Sequence, residues 1–177
     1  GQLFHDAVVS GKTICGPVIA SAIEKALKMG ESNACMKRIV AAPTAGACGV
    51  VPAVYLTLQE QRQIDDERML EAMYIASGVG GVIANRAFLA GAAGGCQAEI
   101  GSASSMAAAG AVYLAGGDTE AIIHAAAMAM KNLLGLACDP VAGLVEVPCV
   151  KRNVVGAVNA LSAADMALAG VRSIIPP

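Results

Sequence analysis

No tryptophan occurs in the 177 residues, and three tyrosines and two phenylalanines make up the whole aromatic complement. Since 56% of the chain is nonetheless hydrophobic, its core must be made of Ala, Val, Leu, Ile and Met, and such small side chains let helices approach one another closely. Charge is sparse as well. Charged residues are 15% of the chain, the net charge is -2, and Lys and Arg are scattered. Without a basic stripe to follow a phosphate backbone, nucleic acid is not an expected partner. Long apolar runs are missing too. The nearest, 101–117, is rich in Ala, Gly and Ser and follows Glu99, so it reads as a buried helix and no membrane association is expected. There is no charged-then-apolar leader, and the six cysteines form no dense framework of the kind that staples small secreted domains. A reducing cytoplasm fits both observations.

The length suits one domain with a sizeable core. No repeat and no linker-like composition divides it, so one helical domain over residues 1–177 is expected. The chain opens at Gly1 and closes on Ile174-Ile175-Pro176-Pro177, and both ends read as cuts.

Helical signals recur along the chain and strand signals hardly appear, which predicts an all-α bundle of Ala- and Gly-rich helices. From Pro17, Val18, Ile19, Ala22, Ile23, Ala26 and Leu27 recur at helical spacing, Glu24 and Lys28 form an i,i+4 pair, and Gly30 is the expected stop. A second helix begins near Pro52. A third carries Asp65, Asp66 and Glu67 in its first turn, where they suit the helix dipole. It continues through Met69, Leu70, Met73 and Tyr74 until Gly78, Gly80 and Gly81 are expected to interrupt it. A short helical piece is expected over 85–93, a small-residue helix over 102–115, and a helix capped by Asp118 or Thr119 that stops at Gly135. Two further helices, 153–161 and 162–169, are expected, with Ser162 capping the second. The stretch 144–147, between Gly143 and Pro148, is the one extended candidate.

Three cysteines stand in backbone-breaking contexts: Gly94-Gly95-Cys96-Gln97-Ala98-Glu99, Ala137-Cys138-Asp139-Pro140 and Val147-Pro148-Cys149. Gly and Pro favour turns at helix ends, where backbone N–H groups can donate to a sulfur or lower a thiol pKa. Such turns are often where metal ligands sit. The intervals between the three match none of the short runs that mark zinc sites or ferredoxin-type clusters, so spacing alone leaves core packing as the competing reading.

The segment Ile39-Val40-Ala41-Ala42-Pro43-Thr44-Ala45-Gly46-Ala47-Cys48-Gly49, the run around Cys96, and Cys138-Asp-Pro-Val-Ala-Gly-Leu-Val-Glu-Val-Pro-Cys149 followed by Arg152-Asn153 together resemble the alpha, catalytic, portion of iron-sulfur L-serine dehydratases. The resemblance extends over nearly the whole chain. It implies a [4Fe-4S] cluster held by Cys96, Cys138 and Cys149, with one iron left open for the hydroxyl and carboxylate of L-serine. Cys15, Cys35 and Cys48 fall outside that set and are read as structural. Cys48 stands where relatives often carry serine.

The reaction so implied removes water from L-serine and gives pyruvate and ammonia, with no need of pyridoxal phosphate. Taking the alpha proton requires a general base. The two histidines are poor candidates: His5 lies near the N-terminus, and His124 sits among Ile122, Ile123, Ala125 and Ala126 on a helix. The family's substrate and base motifs lie in a beta portion, and neither occurs here, so a beta subunit or beta domain is expected to complete the site; an oligomer is also expected. Lys12, Thr44, Arg152 and Asn153 are candidate substrate contacts, Arg152 because a guanidinium suits bidentate carboxylate binding. Gly11-Lys12-Thr13 is not read as a phosphate loop, because Asp6 stands where that loop needs its upstream Gly. Two readings compete with this one: a related cluster-dependent lyase acting on cysteine or another small amino acid, and a non-catalytic helical assembly module.

Overall fold

The computed structural model describes residues 1–138 and 146–175. Among these, eight α-helices and no strand are found: α1 (Gln2–Val9), α2 (Pro17–Ala34), α3 (Val50–Arg62), α4 (Asp66–Arg86), α5 (Gly91–Gly94), α6 (Ser102–Leu114), α7 (Thr119–Lys131) and α8 (Glu146–Leu168). A 3-10 turn, Ala45–Ala47, precedes α3, and a π-helical turn, Gln97–Gly101, runs directly into α6. No described helix is long and apolar enough to cross a membrane.

The bundle is organised around α6. Its sequence, Ser-Ala-Ser-Ser-Met-Ala-Ala-Ala-Gly-Ala-Val-Tyr-Leu, is buried everywhere except at Tyr113, as expected of a helix apolar on every side. It packs against α3, α4, α7 and α8, while α2 packs against α3 and α8. The serines of α6 are satisfied across helix boundaries. Ser104 Oγ donates to the Gly156 carbonyl at 2.8 Å and Ser105 Oγ to the Ala126 carbonyl at 2.8 Å. Asn159 on α8 bridges both neighbours, donating to Ser104 Oγ and to the Ala129 carbonyl at 2.8 Å each. Small side chains bring the backbones close enough for these bonds.

Asp65 and Asp118 cap α4 and α7 by accepting from the N–H groups of Arg68 and Ala121, as their positions before each apolar run suggest. Several expectations fail, and for a common reason. Gly30 does not stop α2. It lies inside the helix, where a Cβ would stand 3.1 Å from the Val150 backbone, so it marks the crossing of α2 and α8. Gly78, Gly80 and Gly81 do not interrupt α4 either, and Gly80 makes room for Met106. In α4 the buried stripe is Ala72, Ala76 and Gly80, while Leu70, Met73 and Tyr74 face solvent. The helix presents its smallest residues to α6. The expected piece over 85–93 reduces to the end of α4 and the single turn α5. The two helices expected after Cys149 are one, α8, and Ser162 sits inside it with its hydroxyl donating to the Asn159 carbonyl at 3.0 Å. Of the extended candidate 144–147, residues 144 and 145 lie outside the described residues, and 146 and 147 open α8. Pro148 is tolerated there because the first turn has no intrahelical use for its N–H.

Tyr55 of α3 reaches in against Gly110 of α6. Tyr55 is buried, and its hydroxyl donates to the Ala72 carbonyl at 3.1 Å; a Cβ on Gly110 would stand 1.7 Å from that hydroxyl oxygen. Gly110→Ala is therefore expected to displace Tyr55 and break its hydrogen bond, destabilising the fold by about 2–4 kcal/mol. Gly78→Ala, with nothing within 4 Å of the added methyl, is expected to stabilise α4 by about 0.5–1 kcal/mol. Urea midpoints of the two variants, moving in opposite directions from wild type, check both statements.

Candidate metal and substrate site

Cys96 is placed by a turn that only glycine can make. Gly95 has φ 72° and ψ -174°, a conformation closed to residues with a Cβ, and a Cβ there would come within 3.3 Å of the Leu136 carbonyl and 3.5 Å of the Cys138 nitrogen. The chain thus passes directly against the segment that carries Cys138. Two hydrogen bonds clamp the pair: Gln97 N donates to the Leu136 carbonyl at 2.9 Å, and Gly135 N donates to Gln97 Oε1 at 2.6 Å. After Cys96 the chain enters the π-helical turn, a widened geometry that recurs at functional sites.

Cys149 arrives on the first turns of α8, and the following residues fix it. Asn153, one turn on and 1% exposed, donates through Nδ2 to the Cys149 carbonyl at 2.8 Å and to the Gly46 carbonyl at 2.9 Å. Its Oδ1 accepts from Gly49 N at 2.8 Å. One amide therefore ties the 44–49 turn to α8. Arg152 Nη1 donates to Cys96 Sγ at 2.9 Å, placing a positive charge beside the most deeply buried thiol of the three.

These elements enclose a cavity of about 560 Å³ lined in part by Gly46, Gly91, Glu99, Cys138, Cys149 and Asn153. Exposure is graded across the cysteines: Cys96 is buried, Cys149 half-buried and Cys138 exposed. Burial, followed by the neighbouring Cys96, Glu99 and Cys138, pushes the Cys149 thiol up to about 11. Negative charge at this sulfur is thus disfavoured unless a cation compensates it. Among the described residues no three His, Cys, Asp or Glu side chains converge as they would on a single metal ion.

The other expected residues are placed as follows. Thr44 precedes the 3-10 turn, whose Ala45 and Gly46 line the cavity, and its Oγ1 is buried with no hydrogen-bond partner among the described residues. Lys12 is exposed between α1 and α2 and does not line the cavity. His5 Nδ1 pairs with Glu24 at 2.9 Å, and His124 Nδ1 accepts from Ser173 N at 3.2 Å. Cys48 is buried, with its thiol pushed up by desolvation and pointing to the Met29 carbonyl at 3.7 Å. Cys15 and Cys35 are exposed, so core packing does not account for them. Sequence reasoning passed over Glu99, although it stands three residues after Cys96 and thus shares a helical face with it.

Two outcomes test this geometry in the metal-free chain. An acid whose pKa is raised stays neutral to higher pH, so near a pH of about 8 roughly one Cys149 in a thousand is the reactive thiolate. Peptide mapping after timed alkylation should find Cys149 modified roughly tenfold more slowly than exposed Cys35, accelerating as pH approaches 11. Equal rates would contradict the geometry. Thr44→Val should leave thermal stability unchanged or raise it, since an unpaired buried hydroxyl costs about 1–3 kcal/mol.

The pattern that defines the family described as "Serine dehydratase alpha chain" matches residues 2–177. The chain is 55% identical over 167 residues to the Bacillus subtilis (strain 168) protein named "Probable L-serine dehydratase, alpha chain", covering 94% of this chain and 56% of that one. It is 54% identical over 159 residues to the Latilactobacillus sakei protein of the same name, covering 90% and 76%. To the "L-serine dehydratase, alpha chain" of Peptoniphilus asaccharolyticus it is 48% identical over 167 residues, covering 94% and 57%. The chain therefore spans little more than half the length of two of these relatives and about three quarters of the third. With the family pattern running across almost all of its residues, this chain belongs to the serine dehydratase alpha chain family.

Proposed function

We propose that this chain is the cluster-bearing part of an L-serine ammonia-lyase that converts L-serine to pyruvate and ammonia. The observation that carries the reading is that Cys138 and Cys149, distant in sequence, line one cavity, with Cys96 close enough to act on the Cys149 thiol, in a chain of this family. The Cys149 thiol feels both Cys96 and Cys138, so these three residues would be the ones to hold a [4Fe-4S] cluster, a group that cysteine thiolates bind. The raised thiol of Cys149 and the unpaired hydroxyl of Thr44 are further signs of a site built for something more.

When bound, the cluster supplies a Lewis-acidic iron for the hydroxyl and carboxylate of the substrate. The protein's own residues do the rest. Arg152 stabilises negative charge on Cys96, Asn153 holds the Thr44 turn against Cys149, and the Gly95 turn sets the spacing between the chains of Cys96 and Cys138. Thr44 adjoins the cavity-lining Ala45, and its buried hydroxyl would reach a substrate only with a shift of that turn. Neither histidine faces the cavity, which supports a general base supplied by a beta portion. A beta subunit or domain, assembly into an oligomer and a reducing cytoplasmic setting belong to the same reading. The exposed apolar face of α4, with Leu70, Met73 and Tyr74, is in keeping with a further packing partner.

Anaerobic reconstitution with iron and sulfide is expected to give a brown protein with about four irons per chain, and Cys138→Ser is expected to abolish the colour. Adding the beta portion and L-serine should then release pyruvate. A colourless wild type would sink the cluster reading, and a loaded complex that acts only on cysteine would reassign the substrate.

A further inference from the structure

Among the described residues Glu99 is the single carboxylate lining the cavity, and no Lys, Arg or His lines it. Its carboxylate is held between two glycines: a Cβ on Gly46 or on Gly91 would stand 2.7 Å from Oε2. Any larger residue at either position would collide with it. No hydrogen bond or ion pair to the Glu99 carboxylate occurs among the described residues, although it stands near enough to Cys149 to raise that thiol's pKa. A carboxylate half-buried in a cavity, cradled by backbone and facing thiols, is a site for a cation carried by a ligand.

We propose that Glu99 anchors the ammonium group of the amino-acid substrate. The inference rests on the function proposed above and adds to it the group that selects an amino acid over a simple hydroxy acid. The charge pattern carries the argument. Among the described residues that line the cavity a zwitterion meets the Glu99 carboxylate and no cationic side chain, and Arg152 lies at the Cys96 sulfur, so its ammonium turns to Glu99. Its carboxylate and hydroxyl are left toward Cys138 and Cys149, which line the same cavity. Glu99 follows Cys96 on the same π-helical turn, so one local conformation sets the distance between the ammonium anchor and the metal end of the site. A charge-assisted hydrogen bond of this kind adds both affinity and orientation.

The test compares L-serine with 3-hydroxypropanoate, which keeps the carboxylate and hydroxyl and lacks the ammonium. In the reconstituted complex, ligand-dependent shifts in melting temperature report binding without turnover. Glu99→Gln is expected to weaken L-serine on the order of ten- to a hundredfold, to leave 3-hydroxypropanoate within about twofold, and to retain wild-type iron content. In turnover the loss should appear in KM. Equal L-serine affinity in wild type and Glu99→Gln overturns the anchor alone. A fall in kcat at unchanged KM makes Glu99 a proton-transfer group and overturns it as well, and loss of iron in the variant assigns the carboxylate to the cluster site instead. A wild type that loads its cluster yet never responds to L-serine overturns the proposed function, and the anchor with it.

Discussion

Helices can surround α6 on four sides only because almost nothing projects from them at the contacts. Alanine, glycine and serine line those surfaces, and backbones come near enough for side chains such as Ser104, Ser105 and Asn159 to bond directly to the carbonyls of neighbouring helices. In a core of large side chains, packing can be repaired by rotamer changes. Here a misplaced methyl at Gly30 or Gly49 would meet the backbone of Val150 or Ala26, which cannot move aside. The fold is held by fit at short range, and the functional cavity inherits that fit: α8 is set against α2 at Gly30 and Val150, one residue past Cys149.

The same feature explains which parts of the architecture are legible in the sequence. The all-helical class, the cap at Asp118, the acidic start of α4 and the buried character of α6 follow from periodicity and composition. Glycine misleads, because Gly30 and Gly80 resemble helix stops while their backbones are ordinary helix and their role is to admit a neighbour. Apolar size misleads in α4 for the converse reason. Leu70, Met73 and Tyr74 look like its core face, yet Ala72, Ala76 and Gly80 are buried. Ser162 resembles a cap, but its hydroxyl bonds back within α8. At the glycines and in α4 a tertiary contact overrides a local preference.

The site is legible in a different way. Intervals of tens of residues between cysteines carry no geometric information, so the resemblance of long motifs singled out Cys96, Cys138 and Cys149. What no spacing could show is how the pieces are joined: the Gly95 turn pressed against residues 136–138, Asn153 bonded to both Gly46 and Cys149, and Arg152 on the Cys96 sulfur. The sequence offers Arg152 and Asn153 for substrate contact, and the structure gives each of them partners within the protein. Glu99 escaped notice because a single acidic residue after a cysteine turn looks like an ordinary helix-start charge.

The graded exposure of the three cysteines gives the cavity a direction of approach. Cys138 is exposed, Cys149 is half-buried, and Cys96 sits at the head of the buried rod that begins with the π-helical turn. Anything arriving from solvent, whether metal or oxidant, meets Cys138 first and Cys96 last. Assembly and damage would therefore run along the same path, and the thiol that is hardest to reach is also the one that Arg152 braces.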